Sequence, residues 1–186
     1  MKYVKVMDGL KSNANGFVYK IGEVNVADNW NPSSMKGEEM GGFNFSTEDK
    51  VLRWIHRGDT IYDVEIPDDA EVIEVDSPSC PRGVFRSNKI IIKNPRKITK
   101  EMLIDLYKKS DLPEETYYIC LVVLLYRYQV DVAKYIIKDR INKDNVDAAI
   151  RKFEDYISQG KDFSYDNLWD EAKEIYNILI DKKNNS

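Results

Sequence analysis

Asn94-Pro95-Arg96-Lys97-Ile98-Thr99-Lys100-Glu101-Met102-Leu103 is where the chain changes its pattern. Before it, short runs alternate apolar and polar residues and are separated by turn chemistry, as half-buried strands do. Ser87 to Lys93 is the last of them, with Ile90 and Ile92 opposite Ile91, and Asn94-Pro95 ends it. After it, apolar residues recur at three- and four-residue steps. Thr99 is an N-cap, and Met102, Leu103, Leu106 and Tyr107 form the first helical stripe. The pattern predicts an α+β fold. Residues 1–98 form a small, mostly antiparallel sheet with one internal helix, and residues 99–186 form a helical bundle packed on it.

Upstream, strands are expected at Tyr3–Met7, Phe17–Ile21, Phe43–Phe45, Thr60–Ile66 and Glu71–Val75, with turns at Asp8-Gly9 and Pro67-Asp68-Asp69. Ser46 reads as the N-cap of the internal helix, with Asp49 at the third helical position. That helix runs to about Arg57, buries Val51, Leu52 and Ile55, places Trp54 in the core, and has Gly58 as its C-cap. Asp28 to Gly42 is the longest loop-like stretch, a length that is often functional or mobile.

Downstream, Pro113 opens a helix whose stripe is Tyr117, Cys120, Leu121, Leu124, Leu125 and Tyr128. Val132, Ala133, Ile136 and Ile137 make another. Val146, Ala149, Ile150, Phe153 and Ile157 make a third, closed by Gly160. Ser164 caps the last helix, which carries Leu168, Ala172, Ile175, Tyr176 and Leu179. Short links make such helices antiparallel neighbours. A solenoid would need ~3 repeats, more than this length holds.

The chain has 186 residues, 42% hydrophobic and 32% charged, the composition of a folded protein. Its net charge of −4 argues against nucleic acid as a partner. Cys80 and Cys120 have no disulfide or zinc spacing, and a reducing cytoplasm is the expected compartment. Met1 to Leu10 has no apolar run of a signal peptide. Tyr117 to Leu125, the most apolar stretch, is far shorter than the ~20 residues of a membrane helix, so no membrane role is expected.

Between Gly58 and Pro81 lie eight acidic residues and no basic one; between Ser77 and Lys100 the sign reverses. The plain expectation is that the two blocks pair strand to strand, each pair contributing ~0.2–1 kcal/mol. The functional alternative is an anion-binding or partner-binding surface with Arg82, Arg86 and Lys89 as contacts.

Catalytic signatures are missing: there is no phosphate-binding loop, dinucleotide fingerprint or HExxH. His56, the only histidine, reads as a surface or packing residue. Cys80 reads as an ordinary loop cysteine, although Arg82 nearby would lower its pKa. No metal site is expected. Glu71 and Glu74 are three apart in a strand and point to opposite faces; Asp63 and Glu65 share a face and are expected to meet lysines.

Gly16-Phe17-Val18-Tyr19-Lys20-Ile21-Gly22-Glu23, Gly42-Phe43-Asn44-Phe45-Ser46 and Ser87-Asn88-Lys89-Ile90-Ile91-Ile92 together resemble a family of small uncharacterised domains common in phages and bacterial mobile elements. The resemblance covers about half the chain and brings no known activity. Asn44 stands where that family commonly has histidine. Tyr19-Lys20 and Phe45-Ser46-Thr47 are also similar to the ADP-ribosyltransferase scaffold. That likeness implies NAD as cofactor, Tyr19 and Ser46 lining the nicotinamide site, and Glu74 polarising the ribose. With no complete catalytic set, the leading expectation is a non-catalytic module that binds a protein partner and needs no cofactor. An NAD-using transferase is the alternative, and anion or nucleic-acid binding through residues 82–100 the third.

Overall fold

Alternation in Tyr3-Val4-Lys5-Val6-Met7 builds β1 (Tyr3–Met7), the central strand of the sheet. The structure is a computed structural model and describes residues 2–12, 16–34, 36–77 and 79–185. The other strands among them are β2 (Val24–Val26), β3 (Phe43–Thr47), β4 (Thr60–Glu65), β5 (Val72–Glu74), β6 (Val84–Ser87) and β7 (Lys89–Lys97). The sheet order is β2-β7-β4-β1-β3-β6-β5, and every ladder is antiparallel. The helices are α1 (Gly37–Met40), a 3-10 helix (Glu48–Arg57), α2 (Lys100–Lys109), α3 (Glu114–Leu125), α4 (Val130–Arg140), α5 (Val146–Ser158) and α6 (Asp170–Asn184). The fold is α+β, with the sheet first and the helices after it.

β6 and β7 are one run of chain interrupted only at Asn88. β6 pairs with β3, β7 pairs with β4, and β3 and β4 both flank β1. The ladders therefore close into a ring, and the sheet curls round its own interior. Side chains alternate across that wall. Tyr3, Met7, Phe43, Phe45, Tyr62, Val64, Phe85, Ile90 and Ile92 belong to an aromatic core, where the Tyr3 ring meets Phe45 and Phe85 edge-on, each at 5.2 Å. Val4, Val6 and Ile61, one step out of phase, join the 3-10 helix and α2–α6 in a larger core. That core is common to both halves of the chain.

α3 packs against the 3-10 helix, α4, α5 and α6. Its sequence suggested a one-sided stripe, yet Val122 and Val123 are as fully buried as Leu121 and Leu124. A helix with neighbours on all sides needs no polar face. Tyr128, expected in that stripe, lies beyond the helix end at φ 57 and is 78% exposed. Thr99 caps α2 as expected, its side chain accepting from the Met102 N–H at 3.2 Å.

Other departures have local causes. Phe17–Ile21 forms no ladder, only single bridges from Val18 to Lys11 and Ile21 to Ile92. The Asn25 side chain accepts from the Lys20 N–H and donates to the Lys20 carbonyl, occupying the groups a strand would use. Ser46 is no N-cap: it stays extended because it pairs with Val4 on one side and Val84 on the other, so the helix starts at Glu48 and winds as 3-10. β7 continues through Asn94-Pro95. Ile61 faces Arg96 and Asp63 faces Lys93, so one extra residue bulges out, with Asn94 at φ 49. Thr60–Glu65 and Val72–Glu74 are not partners in a hairpin; β5 pairs with β6 instead. Ser164 precedes a 3-10 turn, and α6 begins at Asp170.

The opposite-sign blocks do pair. Lys93 meets Glu65 at 2.5 Å, Arg96 meets Asp63 at 2.6 Å and Lys97 meets Asp59 at 2.6 Å along the β4–β7 ladder. Lys89 reaches Asp69 at 2.5 Å. The Asp28–Gly42 loop is pinned. Trp30 bridges to Gly41, and its Nε1 donates to Glu71 at 2.6 Å. Among the described residues no helix is long and apolar enough to cross a membrane.

Candidate functional site

β1 and β3 pair only at Tyr3↔Thr47 and Val4↔Ser46. Beyond Val4 the two strands part, and Lys5 fills the opening. Its Nζ donates to the Asn44 backbone carbonyl at 2.5 Å and to Asn44 Oδ1 at 2.7 Å. An amine thus stands in for a missing ladder N–H, which would otherwise leave a buried carbonyl without a partner. Lys5 is 8% exposed, and its Nζ lies 5.5 Å from the centre of the Tyr19 ring. Among the described residues, no carboxylate is within ion-pair distance of it. Burial, and then the charges of Arg86 and Arg57, push its pKa down to about 7.

Lys5 opens on a cavity of about 110 Å³ between the sheet and the 3-10 helix. Lys11, Asn44, Ser46, Trp54 and Arg57 line it, over an apolar floor of Val4, Val6, Val51 and Val84. Trp54 is only half-buried, rather than the core residue its place in the sequence suggested, and its indole N–H is covered yet has no acceptor. Among the described residues, Asp8 is the one carboxylate of the lining. Its Oδ1 already accepts from the Asp59 N–H at 2.9 Å and from Arg127 at 3.4 Å. Lys11 and Arg57 have no ion-pair partner among the described residues. The balance of the cavity is positive, and its size suits a ligand of a few heavy atoms.

Of the residues singled out by sequence, Ser46 lines this cavity and Tyr19 lies against Lys5, but Glu74 does neither. Glu74 Oε1 accepts from the Gly83 N–H at 2.7 Å and closes the β5–β6 turn. Arg82, Arg86 and Lys89 do not line the cavity. Lys89 is engaged by Asp69, Arg86 donates to the Gly41 carbonyl at 2.7 Å, and Arg82 is exposed. Arg86 contributes at a distance, through its effect on Lys5.

Burial pushes the Cys80 thiol up to about 11; its cationic neighbours are Arg53 and Lys50, not Arg82, and they do not offset it. Burial, with Arg57 and Arg53 beside it, lowers His56 to about 4, so the ring is neutral near pH 7. Among the described residues no group of His, Cys, Asp and Glu could hold a metal ion.

Sequence reasoning missed Lys5 and Arg57, and singled out Asn44 only as standing where a similar family has histidine. The legible sign was Lys5 itself, in phase with Tyr3 and Met7 on a strand that is otherwise apolar. No protein-family model, curated protein or solved structure matches the chain.

Proposed function

We propose that the chain binds a small anion in the cavity beside Lys5. The observation that carries this reading is the meeting of Lys5, Lys11 and Arg57 around one concave pocket, with Lys11 and Arg57 free of ion-pair partners among the described residues. Arg57 supplies a guanidinium fork, suited to a carboxylate or phosphate. This keeps the anion-binding reading but moves it away from residues 82–100, where Lys89, Lys93, Arg96, Lys97 and Lys100 are each paired with a carboxylate. Titration with pyruvate, lactate and inorganic phosphate, followed by the NMR signal of the Trp54 indole N–H, is expected to give saturable shifts with at least one of them. Arg57→Gln should weaken that binding about ten-fold or more. Unsaturable shifts with all three, or unchanged affinity in Arg57→Gln, would reject the reading.

A second reading, a protein-interaction surface, is favoured by a separate observation. Val18, Ile21, Val24 and Val26 are 63%, 46%, 49% and 54% exposed, and Val24 and Val26 share one face of β2, an end strand of the sheet order. Exposed β-branched residues on a strand with one paired neighbour suit an added strand from a partner protein. A photo-crosslinking residue at position 24 or 26 should capture one defined partner in cells, and Val24→Lys should abolish the capture. Equal capture from a control site at Tyr165 would count against it.

A further inference from the structure

We infer that Lys5 is a reactive amine that captures the carbonyl of a small 2-oxo acid as an imine. This deepens the anion-binding reading and rests on it. Three features of the site converge on this chemistry. Lys5 is buried against the Tyr19 ring and also lines the cavity. Both of its hydrogen bonds go to neutral oxygens of one residue, Asn44, so no carboxylate holds it as an ammonium. A neutral amine has two N–H donors and one lone pair; with both donors placed on Asn44, the lone pair is left for an electrophile. Arg57 and Lys11, which line the same cavity, would hold the acid's carboxylate and place its carbonyl carbon near Nζ.

The groups around the amine are neutral or cationic, except Asp8 in the cavity lining. Asn44 on β3 and the Tyr19 hydroxyl, kept protonated by burial, carry no charge. Arg86 on β6 and Arg57 on the 3-10 helix disfavour the ammonium. Lys11 also lines the cavity, and Asp8 is held by Arg127 and the Asp59 N–H. With its pKa pushed down to about 7, Lys5 is half unprotonated at pH 7. An ordinary lysine is unprotonated there in only about 1 molecule in 3,000. Desolvation beside another cation is a known way to make a lysine nucleophilic.

The step balances without a further reagent. The Nζ lone pair forms a bond to the carbonyl carbon, and the carbonyl oxygen takes up the proton that the nitrogen releases. The resulting carbinolamine expels that oxygen as water and leaves a C=N bond. No atom is oxidised or reduced.

Pyruvate with cyanoborohydride tests this, since hydride reduces the imine to a stable secondary amine. At pH 7, peptide mapping is expected to find one reduced adduct at Lys5, at least about ten-fold above any other lysine. Labelling spread evenly over exposed lysines would overturn the inference. Lys5→Arg should lose the adduct. Asn44→Asp keeps the lysine but gives it a carboxylate, so labelling at pH 7 should fall about ten-fold or more and recover towards pH 10. Unchanged labelling in Asn44→Asp, with the variant folded by circular dichroism, would also overturn it. Lactate has the carboxylate but no carbonyl. If lactate shifts the Trp54 signal saturably while pyruvate leaves no adduct, the imine fails and the anion site stands. If pyruvate, lactate and inorganic phosphate all fail to bind, both fail.

Discussion

Gly58→Ala is expected to destabilise the protein by about 4 kcal/mol or more. Gly58 has φ 174, an extended conformation open to any residue, so its backbone is not the reason for glycine. Space is. A Cβ there would stand 1.9 Å from the Met7 carbonyl carbon and 2.4 Å from the Asp8 nitrogen. Both obstacles are backbone, so no rotamer change relieves the overlap. The only escape is to move the end of the 3-10 helix off β1, which opens the core around Val6, Val51 and Ile55. Gly22→Ala is the matched control. Gly22 has φ +77 but nothing within 4 Å of a new Cβ, so it should lose only about 1–2 kcal/mol of left-handed strain. Urea midpoints of the two variants check this. Equal losses would mean that the close approach of Gly58 to β1 does not carry the fold.

Stability is expected to rise between pH 7 and pH 10, and Lys5 to be the cause. The unfolded amine holds its proton up to its ordinary value of 10.5, while the folded one releases it from about 7. In that window the unfolded state binds more protons, so the free energy of unfolding increases with pH. A shift of this size corresponds to roughly 5 kcal/mol across the window, as an upper bound. Lys50 and Lys109 act in the opposite sense, since their carboxylate partners raise them. The clean measurement is therefore the difference between wild type and Lys5→Met, by urea denaturation at several pH values. Lys5→Met should gain less stability than the wild type on going from pH 7 to pH 10, by several kcal/mol. Its absolute stability at pH 7 mixes two effects: relief of the buried amine and loss of two hydrogen bonds to Asn44, each about 1–3 kcal/mol. The slope isolates the first. Parallel pH profiles for the two proteins would show that Lys5 carries no depressed pKa.

Both expectations come from one place, the line where β1 parts from β3 and meets the end of the 3-10 helix. Little of that line was legible in advance. The helix at Val51, Leu52 and Ile55 was readable from its spacing, and so was its end at Gly58. The reason for that glycine was not, because residue 7 and residue 58 are joined only by the fold. The same holds for Ser46. Its residue type suits a cap, but pairing on both sides keeps it extended. Asn25 and Asn94, ordinary loop residues by composition, stop one strand and bulge another. A single polar side chain can outvote the propensity of its neighbours when it satisfies their backbone groups.

The amino-acid sequence by itself determined the change from sheet to helices at Thr99, the helical stripes, and the pairing of acidic with basic strands. Each of these is a periodic or local property, and periodicity survives without knowledge of contacts. Tertiary structure alone decided the closed ring of ladders, the all-round burial of α3, and the cavity that sets Lys5 among Asn44, Trp54 and Arg57. Those depend on which segments meet across long stretches of chain, and a residue's charge state and reach follow from its neighbours in space.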